Sequence, residues 1–333
     1  MHLITAPPRI PILQSVTQDT RDSCLELVEP ARRYSLAKYL DNPRLGGVAV
    51  ILGCAGSGKT DMLCAVAAVF LFSQDNGRVY AAAPTNTRVS SFAKRCHDMV
   101  SRMVQKFPVN HSRRYLPFIL RGYPLEEETT AFVNFSHCPW VPQTKWDIVA
   151  SGEERQKYRP TSREYRLSPA FWLWVALKMP RDDTVLPLCP RLVAIRESFH
   201  SDPKYKVVRD YVDNKTPLSS INDTGPGSTT TLVAGLLGRV ILAADMVCTT
   251  PHDARGKDYA AFNKTTKGVV LDEAGAMARA DVFPVWTEGC RCVMTGNEMH
   301  EASILGRLKQ GGWPCLVIGS EYSGARSLVN SWQ

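Results

Sequence analysis

Gly53-Cys54-Ala55-Gly56-Ser57-Gly58-Lys59-Thr60 is the stretch of this 333-residue chain whose residue types and spacing most directly imply chemistry. It satisfies G-x-x-x-x-G-K-[ST], the pattern of a loop that wraps a phosphate. Gly56 and Gly58 permit a backbone whose successive N–H groups turn toward one anion. The helix expected to follow adds the positive end of its dipole. Lys59 is long enough to reach the β- and γ-phosphates of a nucleotide, and the Thr60 hydroxyl suits Mg²⁺. A glycine turn ahead of an ordinary core helix is the alternative, and the flanks weigh against it. Gly47-Val48-Ala49-Val50-Ile51-Leu52 reads as a buried parallel strand, and Asp61 to Phe72 reads as a helix. Strand, loop and helix in that order are the context the pattern requires.

A second constellation lies at Gly268-Val269-Val270-Leu271-Asp272-Glu273-Ala274-Gly275, an apolar strand delivering two carboxylates at its end. In a chain that binds nucleotide phosphates, the first acid would hold Mg²⁺. The second would take a proton from the attacking water or orient it. A surface turn carrying two acids is the competing reading. A third strand, Arg291-Cys292-Val293-Met294-Thr295, ends in Gly296-Asn297-Glu298, where a polar group could sense the γ-phosphate.

These residues need a scaffold, and the rest of the chain supplies its elements. Arg78 to Ala83 is a further strand, followed by Pro84-Thr85-Asn86-Thr87 and a helix from about Arg88 to Val104. Two strand–loop–helix units in succession imply a parallel sheet. Thr229 to Ala244 reads as helix, Asp245 to Thr250 as a short strand, Ala302 to Gln310 as helix and Cys315 to Ile318 as a last strand. Near the start, Thr20 to Leu40 is loosely helical, interrupted by Pro30. Between Lys106 and Gly227 prolines recur, and one helix stands out, opened by Ser168-Pro169 and running to Leu177. This segment reads as an inserted subdomain apart from the sheet. Two basic stretches inside it, Arg113-Arg114-Tyr115 and Arg155 to Arg166 with Tyr158 and Tyr165, would suit a single strand of nucleic acid or simply a solvated face.

Composition narrows the class. Hydrophobic residues make up 44% and charged residues 22%, the balance of a folded globular chain. A net charge of +8 suits a polyanionic partner without requiring one. Ten cysteines without a C-x-x-C pair imply reduced thiols in an intracellular protein, nuclear or cytoplasmic, rather than a disulfide scaffold. Cys290-Arg291-Cys292 places two thiols on one face of a strand, which suits packing more than metal. No signal peptide and no membrane span are expected.

Taken together, the motifs resemble the first RecA-like domain of superfamily 1 helicases, closest to the group that contains the nonsense-mediated-decay RNA helicase and senataxin. The matches are the loop Gly53 to Thr60, Ala83-Pro84-Thr85-Asn86, Ala244 to Thr250, Asp272-Glu273-Ala274-Gly275 and Thr295-Gly296-Asn297. They cover about residues 45–100 and 230–320. The resemblance implies an α/β phosphate-loop NTPase (RecA-like) fold with a mostly parallel sheet and an inserted, mainly helical subdomain. The expected divisions are an N-terminal arm and helix over 1–44, the ATPase domain over 45–105 and 228–333, and the insertion over 106–227. It implies ATP and Mg²⁺ as ligands, with Lys59 and Glu273 catalytic and Thr60 and Asp272 on the metal. It also implies single-stranded DNA or RNA as partner, held by Pro84, Thr85, Asn86, Thr249 and Thr250. By the same resemblance, Gly296, Asn297 and His300 would form the γ-phosphate-sensing region.

There are departures. Asn297 stands where the family has Asp, and His300 where it has Gln. Glu321-Tyr322-Ser323 lacks the Arg of the family's Gln-Tyr-Arg. Gln14 and Gln18 are the candidates for an adenine-contacting Gln. No second RecA-like domain follows, so slow hydrolysis without duplex unwinding is expected of the 333 residues alone. The rival readings are a phosphate-loop NTPase that is not a helicase, and a nucleotide-binding helicase remnant without activity.

Overall fold

Short, unbroken apolar runs form strands buried on both faces, and such strands assemble into a parallel sheet covered by helices on each side. The computed structural model describes residues 9–13, 16–73, 77–106, 115–137, 165–178, 190–213, 215, 228–286, 289–297 and 301–319. Among them seven strands form one sheet: β1 (Val48–Gly53), β2 (Arg78–Ala82), β3 (Ile119–Arg121), β4 (Met246–Thr249), β5 (Thr266–Leu271), β6 (Arg291–Gly296) and β7 (Cys315–Ile318). Their order is β3-β4-β2-β5-β6-β1-β7, and every neighbouring pair is parallel. The fold is therefore α/β, with a wholly parallel sheet between helices.

Alternate residues of each strand feed two separate cores, as the two-residue period of a strand demands. Ala49, Ile51, Val79, Ala81, Val270 and Val293 face one way. There they meet the helices Lys59–Leu71 and Asn86–Lys106 and the N-terminal helices Gln18–Leu25 and Pro30–Asp41. Val50, Leu52, Tyr80, Val269, Leu271 and Met294 face the other way, against helices that include Pro169–Lys178 and Thr229–Ala243. The helical stretch is broken ahead of Pro30, as expected, into Gln18–Leu25 and Pro30–Asp41. Pro30 occupies the first turn of the second helix, where its missing N–H costs nothing. Among the described residues no helix is long and apolar enough to cross a membrane.

The segment 106–227, expected to stand apart from the sheet, supplies its edge strand β3, paired with β4 from Ile119↔Met246 to Arg121↔Cys248. Its helices Leu125–His137, Pro169–Lys178 and Pro190–Ser201 contribute Phe132, Leu173 and Phe199 to the same core as Tyr80 and Leu271. A three-residue strand hemmed by Pro117 and Pro124 is too short to show a period, which is why composition alone set it outside the sheet. The basic stretches Arg113-Arg114 and 155–164 lie outside the described residues.

Asp245 fastens this edge. Its carboxylate accepts the backbone N–H of Phe118 at 2.9 Å and the Arg191 guanidinium at 2.7 Å. Its own N–H donates to the Phe118 carbonyl at 2.9 Å. Asp245→Ala leaves the Phe118 donor without its buried acceptor and should destabilise the fold by about 1–3 kcal/mol. Chemical denaturation measures this, and Asp245→Asn, which keeps one acceptor oxygen, should lose less.

Candidate active site

In a parallel sheet every strand delivers its carboxyl end to the same edge, and the register here aligns those ends closely. Leu52 pairs with Gly296, Leu271 with Met294, and Ala82 with Leu271. The residues that follow β1, β5 and β6 are therefore neighbours, although more than 200 positions separate Thr60 from Asp272 along the chain. Open parallel sheets bind their ligands along this edge.

β1 runs into the glycine loop and then into the helix Lys59–Leu71. Gly56 (φ 77°) and Gly58 (φ 79°) take the left-handed backbone that turns the loop back on itself. Gly58 also precedes the helix and offers no side chain to cap it, so the first helical N–H groups lack a side-chain partner. Lys59 folds back over the loop, donating to the carbonyls of Gly53 at 2.8 Å and Cys54 at 2.6 Å and to Asn297 Oδ1 at 3.1 Å. Burial lowers the Lys59 pKa, and the negative charge of Glu273 is the largest influence opposing that shift. Ser57 Oγ is buried in the loop without a hydrogen-bond partner among the described residues. Cys54 and Ala55 are exposed.

Asp272 sits at the centre. Its oxygens each lie 3.3 Å from Thr60 Oγ1, and Oδ1 accepts from Thr295 Oγ1 at 2.9 Å. Its N–H continues the ladder to Ala82 at 2.9 Å. Burial raises the Asp272 pKa, offset by the Thr295 hydrogen bond and reinforced by the charge of Glu273. Glu273 follows with φ 53°, the one positive φ outside glycine among the described residues. Such a conformation costs about 1–3 kcal/mol and persists only where its surroundings hold it. The hold here is the close approach of two loops. A Cβ on Gly275 would lie 2.2 Å from the Asn297 carbonyl oxygen, and one on Gly296 would lie 2.7 Å from the Gly275 nitrogen.

The structure thus brings together Lys59, Thr60, Asp272, Glu273, Gly296 and Asn297, while His300 lies outside the described residues. The residues expected to hold nucleic acid divide. Pro84, Thr85, Asn86 and Thr250 line one cleft of about 480 Å³. Thr249 is fully buried, its hydroxyl 2.8 Å from that of Tyr80, and does not reach it. Asn86 Oδ1 accepts from the buried Arg121 guanidinium at 2.7 Å, and Thr250 donates to Asp253 at 2.8 Å.

Sequence reasoning missed two arginines. Arg121 is the largest wholly buried side chain among the described residues and donates to Asn86, which lines the cleft, and to Ser90. Arg32, on the helix Pro30–Asp41, stands against the glycine loop, its Nη1 2.1 Å from where a Cβ on Gly58 would be. Gln18 hydrogen-bonds Asp22 on its own helix, and Gln14 lies outside the described residues. A basic pair on an otherwise helical stretch carries no signal that one member will reach a loop 26 residues downstream.

No known family model matches the chain, and a search of curated proteins finds no match.

The raised pKa of Asp272 has a consequence for stability. Its folded value lies above the ordinary aspartate value of 3.8. Its contribution is therefore fully present below 3.8 and is lost as pH rises through the folded value, so at neutral pH the ionised carboxylate opposes folding. Asp272→Asn should raise the melting temperature of the metal-free protein at pH 7, with the gain shrinking as pH falls toward 4. Thermal denaturation across that range checks it. A uniform loss of stability would contradict it.

Proposed function

We propose that the chain binds a nucleoside triphosphate, ATP in the first instance, with Mg²⁺ and hydrolyses it, on a phosphate-loop fold of the RecA-like kind. We further propose that it acts as the first motor lobe of a superfamily 1 helicase with single-stranded nucleic acid as partner. The observation that carries the proposal is the meeting of Lys59, Thr60, Asp272, Glu273 and Asn297 at the carboxyl edge of adjacent parallel strands.

The residues present fit the ligands. The uncapped helix start and the orphaned Ser57 hydroxyl leave donors for phosphate oxygens around the loop. Thr60 and Asp272 would hold Mg²⁺ by oxygen, the donor that this hard cation prefers. Among the described residues no cluster of three or more His, Cys, Asp or Glu is disposed for a metal. Mg²⁺ is commonly bound through one or two protein groups and completed by phosphates and water. When bound, Mg²⁺ would neutralise charge on the phosphoryl oxygens.

Each side chain then has a task. Lys59 exchanges its carbonyl partners for phosphate, so a charge already held at the loop moves only a short way. Asn297 fixes the Lys59 ammonium from the adjacent strand end, and a phosphate arriving at Lys59 is felt there directly. Thr295 holds the Asp272 carboxylate toward Thr60. Glu273, set beside it by its left-handed backbone, takes the proton of the attacking water or orients it.

A second reading, a phosphate-loop NTPase that is not a helicase, is favoured by one observation. Thr249 and Thr250 spend their hydroxyl bonds inside the protein, and Asn86 Oδ1 is taken by Arg121. Nucleic-acid stimulation of turnover separates the two.

Removing the Lys59 charge (Lys59→Ala) should weaken Mg·ATP binding by about ten-fold or more in calorimetry, since charge-assisted bonds to phosphate are strong. Folded wild-type protein that gives no binding would overturn the proposal at its root. Glu273→Gln should keep ATP binding and lower turnover by about a hundred-fold, the usual scale for a lost general base. An unchanged rate would remove Glu273 from the reaction.

A further inference from the structure

One contact joins the nucleotide side of the sheet edge to the cleft beside it. Arg88 Nη1 lies 3.7 Å from Glu273 Oε1, too long for a hydrogen bond and close enough for charge to act. Arg88 is in the first turn of the helix Asn86–Lys106, its N–H donating to Thr85 Oγ1 at 3.4 Å. Pro84, Thr85 and Asn86, shortly before it in the chain, line the cleft. Ala276 and Met277, just beyond Glu273, also line it. Arg88 therefore follows one set of lining residues along the chain and approaches Glu273, which precedes another.

The contact is built to be exchanged. The Arg88 side chain is 60% exposed and that of Glu273 27%, so the pair is screened by water and weakly held. A guanidinium binds a phosphate through two parallel N–H bonds, a geometry that its present 3.7 Å contact does not offer. The two acids lining the cleft are already engaged: Asp253 accepts from Thr250 at 2.8 Å, and Asp281 from the Ala278 N–H at 2.9 Å. Once released, the Glu273 carboxylate is still within electrostatic reach of the Lys59 charge.

We infer that Arg88 is a positioning residue for Glu273: it holds the carboxylate while the cleft is empty and gives it up when a phosphate of a single nucleic-acid strand takes the guanidinium. The inference rests on the function proposed above and adds how its partner would control it. No covalent step is involved. One cation changes partner, and the glutamate becomes free to serve the attacking water.

The test uses the full chain, Mg·ATP and a short single-stranded oligonucleotide, tried as DNA and as RNA. Arg88→Gln should raise the basal turnover several-fold, to the rate of the wild type saturated with oligonucleotide, and should abolish any further response. Its oligonucleotide affinity should fall about five-fold, and the salt dependence should become shallower by about one phosphate contact. Arg88→Lys, which keeps the charge, should retain the response, an outcome that a purely structural role would not produce. An Arg88→Gln protein with unchanged basal rate and an intact response would overturn the inference. So would wild-type turnover indifferent to oligonucleotide, which would leave the nucleotide site standing. Absence of Mg·ATP binding by the wild type would instead remove the proposed function, and this inference with it.

Discussion

The Asp272 carboxylate, held between the hydroxyls of Thr60 and Thr295, is the interaction on which the rest of the edge depends. It is nearly buried, and burial alone favours its neutral form. Two hydroxyl donors make the charged form tolerable, and each arrives on a different strand or helix. The parallel register is what permits this. Were β5 and β6 shifted by one residue, Thr295 would turn to the opposite face of the sheet and Asp272 would lose its strongest donor. The apolar pairing of Leu271 with Met294 thus fixes a polar contact one position further on.

The same edge accumulates features that do not favour stability. Glu273 has a left-handed backbone, Ser57 Oγ is buried without a partner, and Lys59 is partly desolvated. Strain and unpaired polar groups are tolerated where a larger packed structure holds them in place. Here the two cores on either face of the sheet supply that structure, and Gly275 and Gly296 let the loops press together closely enough to hold the glutamate turn.

Much of this was legible in the sequence because it is written in short-range patterns. The glycine loop declares its own backbone conformations, and the strands at 48–53, 78–82, 246–249, 266–271, 291–296 and 315–318 follow from apolar runs ending in polar residues. What escaped depends on distance along the chain. Strand β3 owes its place to pairing with β4, some 127 residues away, and not to any period of its own. The Asn297–Lys59 and Arg88–Glu273 contacts also follow only from strand order. Thr249 shows the converse: a hydroxyl expected to hold nucleic acid is fully buried and bonded within the fold.

On the proposed function, the backbone amides of the glycine loop bind phosphate. Hydrogen–deuterium exchange of the full chain with and without Mg·ATP addresses those amides directly, before any question of turnover or partner. Protection should rise across residues 54–61, with smaller changes at 272–276 and 296–297, because the three strand ends are in contact. Exchange in the glycine loop that is indifferent to saturating Mg·ATP, or protection confined to another part of the molecule, would contradict the account.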